Sequence, residues 1–216
     1  MSSILNANEQ YLLELINRAR LDPAAEAQRY GLADLSRGFA PGSITAAAKQ
    51  VLAPNQFLNI SADNHSQWML DTDTFSHTGV NGSRPGERMA AAGYPSFASW
   101  GENISARWPG GGAAVDLAAS IENHHQGLFL SDGHRINILD PGYREVGLGQ
   151  LRGAFAYQGG AVNDTSMLTQ NFATSAGSPA FVTGVAYTDS NANRFYNIGE
   201  AAGATEVSSS LGGSAT

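Results

Sequence analysis

The chain has no cysteine, which excludes disulfides, thiolate-ligated zinc and a thiol nucleophile. Positive charge is also scarce. Twelve Lys and Arg stand against 19 Asp and Glu, Lys49 is the single lysine, and the net charge is −7 with a pI near 5.1. Nucleic-acid binding needs clustered cations that displace counterions from phosphates. No such cluster exists, so no nucleic-acid partner is expected. The acidity fits plain solubility or the binding of cations. No apolar run reaches the roughly 18 residues that a membrane-spanning helix requires. Met1 to Ala7 lack the basic and apolar stretches of a signal peptide. That leaves open a trimmed leader, an export signal not contained in these residues, or a cytosolic protein. Two catalytic signatures are missing as well: the His-Glu-x-x-His zinc motif and the Gly-x-Ser-x-Gly nucleophile elbow.

What is present is a chain of 216 residues, 42% hydrophobic but only 14% charged, with 25 glycines. Ordinary soluble domains carry about 25% charged residues. This chain relies on turns and small-residue packing more than on surface ion pairs, and it is long enough for one solid core.

Apolar residues recur at helical spacing over Asn8 to Arg20. Asp22-Pro23 reads as a cap followed by proline at the first helical position, opening a second helix that Gly31 stops. Ser36 to Leu52 reads as loop. A third helix is predicted from a Ser61 cap to Asp73, a short one over Pro85 to Ala92, and another over Ala113 to His125. Tyr94 to Pro109 reads as irregular. The period then changes to that of strands over Glu145 to Leu151, Ala154 to Gln158, Met167 to Ala173 and Phe181 to Thr188, with Gly153 allowing a turn. Thr174 to Pro179 has linker composition, and the Ser/Gly-rich Ser208 to Thr216 is expected to be disordered. Helices first and strands last imply an α+β domain with an antiparallel sheet covered by helices.

Five histidines are available. His65 shares a helix face with Trp68 and Met69, which suits a hydrogen-bonded core or rim histidine. His77 lies at a turn in Phe-Ser-His-Thr-Gly, and loops on rigid scaffolds often carry function. Glu102 sits in Trp-Gly-Glu-Asn-Ile, where apolar neighbours require it to be paired or shifted in pKa. His134 lies in Gly-His-Arg-Ile-Asn-Ile-Leu, again at a turn entering an apolar run. Taken singly, each fits a structural role as well as a functional one.

Taken in order, these segments resemble a family. Leu15 to Arg20, Phe75 to Gly79, Arg84 and Arg88 before Gly93-Tyr94, Gly101 to Ile104, Gly133 to Leu139, Glu145 to Gly149 and Thr169 to Phe172 are similar to the bacterial form of the CAP superfamily, or SCP domain, over roughly Asn8 to Ala173. The resemblance implies an α-β-α sandwich with a central antiparallel sheet. It also implies a cleft gathering two histidines and two glutamates, in which the histidine pair of several members holds a divalent metal. His77 and His134 match the histidines, Glu102 matches the first glutamate and Glu122 is the best match for the second. Glu122 and His125 would share a helix face. The animal members' disulfides and Gly-His-Tyr-Thr-Gln motif are absent.

Two neutral imidazoles with carboxylates suit a zinc-like ion. If the chain is an enzyme, hydrolysis would use Glu102 or Glu122 as general base. The other class is a binding module whose cleft takes an extracellular lipid, peptide, glycan or protein partner. A structural stalk of a longer surface protein is a third, weaker reading.

A second cation site is expected near the end. Asp189, Asn191, Asn193, Phe195 through its carbonyl, Asn197 and Glu200 occupy positions one, three, five, seven, nine and twelve of a 12-residue calcium loop. Arg194 stands where glycine usually permits the turn. With two carboxylates, affinity should be weak, in the range of about 10⁻⁴ to 10⁻³ M seen in extracellular modules. A polar, Asn-rich hairpin turn explains the same residues. A weak calcium site makes sense outside cells, which together with the absence of cysteine suggests a secreted or cell-surface protein. The expected organisation is a domain over 1–176 followed by a strand-flanked calcium-loop segment and tail over 177–216.

Overall fold

A computed structural model describes residues 5–177, 181–203, 207–208 and 214–215. Two helices open it. α1 (Ala7–Leu21) starts at Asn6, whose side chain accepts from the backbone N–H of Asn8 and Glu9, while Glu9 returns a bond to the Asn6 N–H. α2 (Pro23–Arg29) starts at Asp22, with proline in its first turn. After a long loop, β1 (Ala53–Pro54) leads into α3 (Gln56–Asp71), then α4 (Pro85–Ala91) and β2 (Phe97–Arg107). α5 (Leu117–Leu130), α6 (Asp132–Ile138), β3 (Glu145–Phe155) and β4 (Asn163–Ser175) follow.

The strands form one sheet in the order β1-β3-β4-β2, antiparallel except for the short β1–β3 pair. α3 lies across β3 and β4 on one face, and α1, α5 and α6 cover the other. The result is the α-β-α sandwich expected from the sequence. The larger core lies between the sheet and the α1/α5/α6 layer, around Leu12, Leu15, Ile16, Phe129, Val146 and Phe172. Gly147 and Gly149 explain how closely α3 approaches. A Cβ at either would lie 2.0 to 2.5 Å from the α3 backbone at Leu58 and Ala62. Any side chain there would push the helix off the sheet.

Two buried arginines tie loops to this core without a buried salt bridge. Arg20 donates to the carbonyls of Gln50, Ile138, Asp140 and Tyr143. Arg135 does the same for Leu35, Phe129, Leu130 and Arg37, and reaches Asp132 at the surface. The guanidinium fork supplies several fixed donors, so one side chain satisfies several orphan carbonyls.

The structure corrects several sequence expectations. Tyr94 to Pro109 is not irregular: residues 97–107 form the 11-residue β2. Its period is masked because five successive residues, 101–105, are buried. β3 runs unbroken through Gly153 to Phe155. Ser61 is a buried residue inside α3, and Asn55 is the cap, accepting from the N–H of Phe57 and Leu58. The expected helix over Ala113 to His125 is shifted toward the C-terminus, and His134 lies on α6 rather than in a turn.

Among the described residues, Phe181 to Thr188 pair only through a single bridge from Tyr187 to Ala201. Thr174 and Ser175 end β4 instead of beginning a linker. The expected disordered tail lies mostly outside the described residues, although β5 (Val207–Ser208) pairs with β6 (Ser214–Ala215). Residues 185–198 pack onto the main core. Tyr196 is buried in it, and Phe195 meets the edge of Tyr11 and lies 4.9 Å beneath the Arg18 guanidinium.

Candidate functional site

β2 carries Glu102 into the interior, opposite Asn171 of β4 in the sheet register. A buried carboxylate must be paired. Glu102 Oε1 lies 2.8 Å from His77 Nδ1, and Oε2 accepts from Arg88 Nη2 at 2.6 Å. Asn171, with its amide turned to satisfy both ends, donates to the same Oε2 at 3.3 Å. Both oxygens are therefore engaged.

The loop holding His77 is fixed from two sides. Arg88, from α4, donates to the carbonyls of His77 and Ser83 at 3.0 and 2.8 Å. His65, from α3, is buried, stacks on Trp68 and bonds the Ser76 carbonyl through Nε2 at 2.9 Å. It is the hydrogen-bonded rim histidine that its helix face suggested. Burial holds its pKa down, to about 4, so it works as a neutral N–H donor.

This arrangement decides the chemistry of His77. A carboxylate only accepts, so Nδ1 carries a proton and Nε2 is the nitrogen left for another partner. The ring is 52% exposed. An imidazole oriented by a carboxylate with its other nitrogen facing outward is suited to a metal or a proton.

His134 stands on the first turn of α6. Its Nδ1 lies 2.7 Å from Ser131 Oγ, and its carbonyl accepts from Asn103. Burial, and then the nearby His77, hold its pKa below the ordinary value. The two histidines are thus near enough to interact. Asn103 and Asn137 lock β2 to α6: Asn137 donates to Asn103 Oδ1 and to the Glu102 carbonyl. Beside His134 a cavity of about 280 Å³ opens, walled by Phe75, Trp108 and Tyr157.

The structure thus brings His77, Glu102 and His134 to one region. It places Glu122 elsewhere, on the face of α5 turned to α1, where Tyr11 donates to its Oε1 at 2.5 Å. Its neighbour His125, on the same face, bonds Glu26. Arg88 is visible in the sequence without a role there, and sequence reasoning does not place Asn171 and His65 in the cleft. Their signal is a polar residue among apolar ones on β4 and α3. Among the described residues, no three His, Cys, Asp or Glu side chains converge as a ready metal sphere. Two imidazoles fit an ion that keeps several solvent ligands.

The residues of the expected calcium loop also come together, held by their own hydrogen bonds. Asp189 accepts from the N–H of Asn193 and Arg194, Asn191 from Asn193, and Asn193 from Phe195. Asn197 Oδ1 accepts from the Asn191 and Asn193 amides. Glu200 closes the loop by accepting from Ser190 and the Asn197 N–H, and these bonds hold its pKa below the ordinary carboxylate value. Arg194, where such loops usually carry glycine, adopts the left-handed conformation with φ of 61°.

Comparison with known proteins bears on the whole arrangement. A search of curated proteins found no match. Among solved structures, the chain is similar to an extracellular SCP-domain protein from Bacillus anthracis, with 28% identity and a TM-score of 0.42. That match covers 58% of this chain and 34% of the Bacillus protein, so the chain spans about a third of that relative. It is also similar to an outer surface protein from Borrelia burgdorferi, at 13% identity and a TM-score of 0.48, covering 80% of this chain and 97% of that one. BmVAL-1 matches at 13% identity and a TM-score of 0.46, covering 88% and 89%. The model of the cysteine-rich secretory protein family, CAP, matches residues 13–172, a span holding His77, Glu102 and His134, and the chain, though it lacks cysteine, belongs to that family.

Proposed function

We propose that this protein is a secreted or surface-exposed CAP-type binding domain. Its cleft holds a divalent, zinc-like ion on His77 and His134 and presents an extracellular ligand to it. One observation carries the reading. Glu102 fixes His77 through Nδ1 at 2.8 Å and so leaves the outward Nε2 as a ligand nitrogen. The bound ion would act as a Lewis acid and an anchor for oxygen atoms.

Binding is better supported than hydrolysis. A general base needs a free oxygen within reach of a water. Both Glu102 oxygens already accept hydrogen bonds, from His77 and Arg88, and Glu122 bonds Tyr11. A metal-dependent hydrolase would have to give up one of those bonds. Among the described residues no helix is long and apolar enough to cross a membrane. The closed, Asn-rich loop of residues 189–200 we assign to weak calcium binding, which suits the calcium-rich exterior.

The test is a zinc titration with a competing chelator, alongside peptidase and esterase screens. Wild type should bind one zinc per chain, and His77→Ala and His134→Ala should each lose it with no activity to lose. Turnover abolished by either substitution would establish the hydrolase instead. Zinc binding that survives both would remove the metal reading.

A further inference from the structure

Arg107 and its surroundings point to the chemistry of the cleft's ligand. It ends β2, one residue before Trp108, and lines the cavity that His134 also lines. Among the described residues it is half-buried and has no carboxylate partner, unlike Arg18, Arg88, Arg135 and Arg152, which each form ion pairs. Its hydrogen bonds go to a single neutral acceptor, the Asn123 carbonyl, at 3.4 Å from Nε and 3.2 Å from Nη2. Burial lowers its pKa, and its charge presses on the neighbouring buried His124. A half-buried guanidinium with neither a counter-ion nor the four carbonyls that satisfy Arg20 is costly unless an anion arrives to meet it.

Gly127 makes room for it. This glycine lies inside α5, at a position where alanine would favour the helix. A Cβ built there would lie 1.8 Å from Arg107 Nη2. The helix thus carries an unfavourable residue at the point where the guanidinium sits.

Around it the wall is apolar and open. Phe75, Trp108 and Tyr157 are 36%, 40% and 43% exposed, yet their rings meet one another, with centroids 6.4 Å (Phe75–Tyr157) and 6.2 Å (Trp108–Tyr157) apart. Exposed aromatic clusters of this kind mark ligand surfaces. The cavity's volume of about 280 Å³ suits a small ligand, and no acidic side chain lines it. Asp116 lines only the adjoining cavity, where its carboxylate caps α5 through the Ala119 N–H.

We infer that this cavity takes an organic carboxylate with an apolar or aromatic tail, its headgroup on Arg107 and its tail against Phe75, Trp108 and Tyr157. The inference rests on reading the cleft as a ligand site. A small free acid and the C-terminal end of a peptide offer the same chemistry.

Calorimetry on metal-free protein tests it, with 3-phenylpropanoate compared against 3-phenylpropanamide. The acid should bind at least tenfold more tightly than the amide. Arg107→Gln should abolish that preference. Gly127→Ala should do the same by displacing the guanidinium, and since alanine favours the helix this variant should fold at least as well as wild type. Equal affinities for acid and amide, no binding of the acid at millimolar concentration, or a preference that survives both substitutions would overturn the inference. Acetyl-glycyl-phenylalanine binding more tightly than 3-phenylpropanoate supports it and identifies a chain end as the source, while weaker binding supports it with a free acid. Zinc titration of the same samples separates the two readings. Zinc bound through His77 and His134 without an acid preference leaves the metal site standing and removes only this inference.

Discussion

His124 and His125 are adjacent in sequence and both fully buried, whereas His77 and His134 come from distant segments and keep contact with solvent. His124 is held by hydroxyls on both nitrogens, Ser105 at Nδ1 and Ser166 at Nε2, each at 2.9 Å. His125 bonds the buried Glu26 at 2.8 Å, and Arg18 grips the same carboxylate. Burial alone pushes the Glu26 carboxyl up, but the bonds from His125 and Arg18 outweigh it and bring it to about 2. The pair on α5 is a set of structural pins. The cleft pair differs in exposure: each ring has one nitrogen tied down within the protein and still reaches solvent, whereas the unbonded Nδ1 of His125 is buried. Exposure of the second nitrogen, more than the number of partners, separates the two pairs.

The largest effect should come from breaking the structural side of this contrast. His125→Ala should destabilise the fold by about 3 kcal/mol, because it opens a cavity and strips a buried carboxylate of one of its partners. Urea unfolding measures the loss, and zinc affinity should not change. A loss under about 1 kcal/mol would show that the α5 pair is not a pin.

Next comes acid. Burial, and then Arg107, hold His124 down from 6.5 to about 3. Below pH 6.5 the unfolded chain takes up a proton that the folded chain refuses. His124 therefore contributes its full stability above that pH, and the contribution drains away as pH falls toward about 3. The slope for one such proton is about 1.4 kcal/mol per pH unit. His124→Gln should flatten wild-type stability by about that slope between about pH 6 and about pH 4. Parallel curves for the two proteins would mean that His124 is charged in the fold.

On the functional side, His77→Ala should cost about 100-fold in zinc affinity but only about 1 kcal/mol of stability, since the ring is half exposed and Arg88 still pairs Glu102. Glu102→Gln should weaken zinc by about 10-fold, acting through the orientation of His77. A matching loss of stability in His77→Ala would erase the distinction between the two pairs.

The smallest effect belongs to the terminal loop. Five millimolar calcium should raise the melting temperature by about 3 °C, and Glu200→Gln should remove the rise. An equal rise in both proteins would leave the loop an Asn-rich turn held by its own hydrogen bonds.

The contrast also shows where sequence reading works. α2 is legible because cap and stop stand close together, at Asp22-Pro23 and Gly31, and α1 because its apolar period is unbroken. β2 is not, because a strand buried on both faces has no alternation to show. Its Glu102 and Asn103 look like loop residues until β4 and α6 supply their partners. The cleft residues His77, Glu102 and His134 are legible as a set through their family-like order. Glu122 is misplaced by sequence alone because spacing along a helix gives a face but not the direction in which that face points. α5 turns it toward Tyr11.

By itself the sequence determined the absence of thiol chemistry, the net negative charge, the starts of α1, α2 and α4, and the family. These depend on composition and on residues close together along the chain. Only the tertiary structure decided which nitrogen of His77 is free, that Arg88 and Asn171 complete the Glu102 pocket, and that Gly127 leaves room to seat Arg107. Such facts depend on atoms brought within hydrogen-bonding distance by packing α3 and α5 on opposite faces of one sheet. No local pattern encodes that proximity.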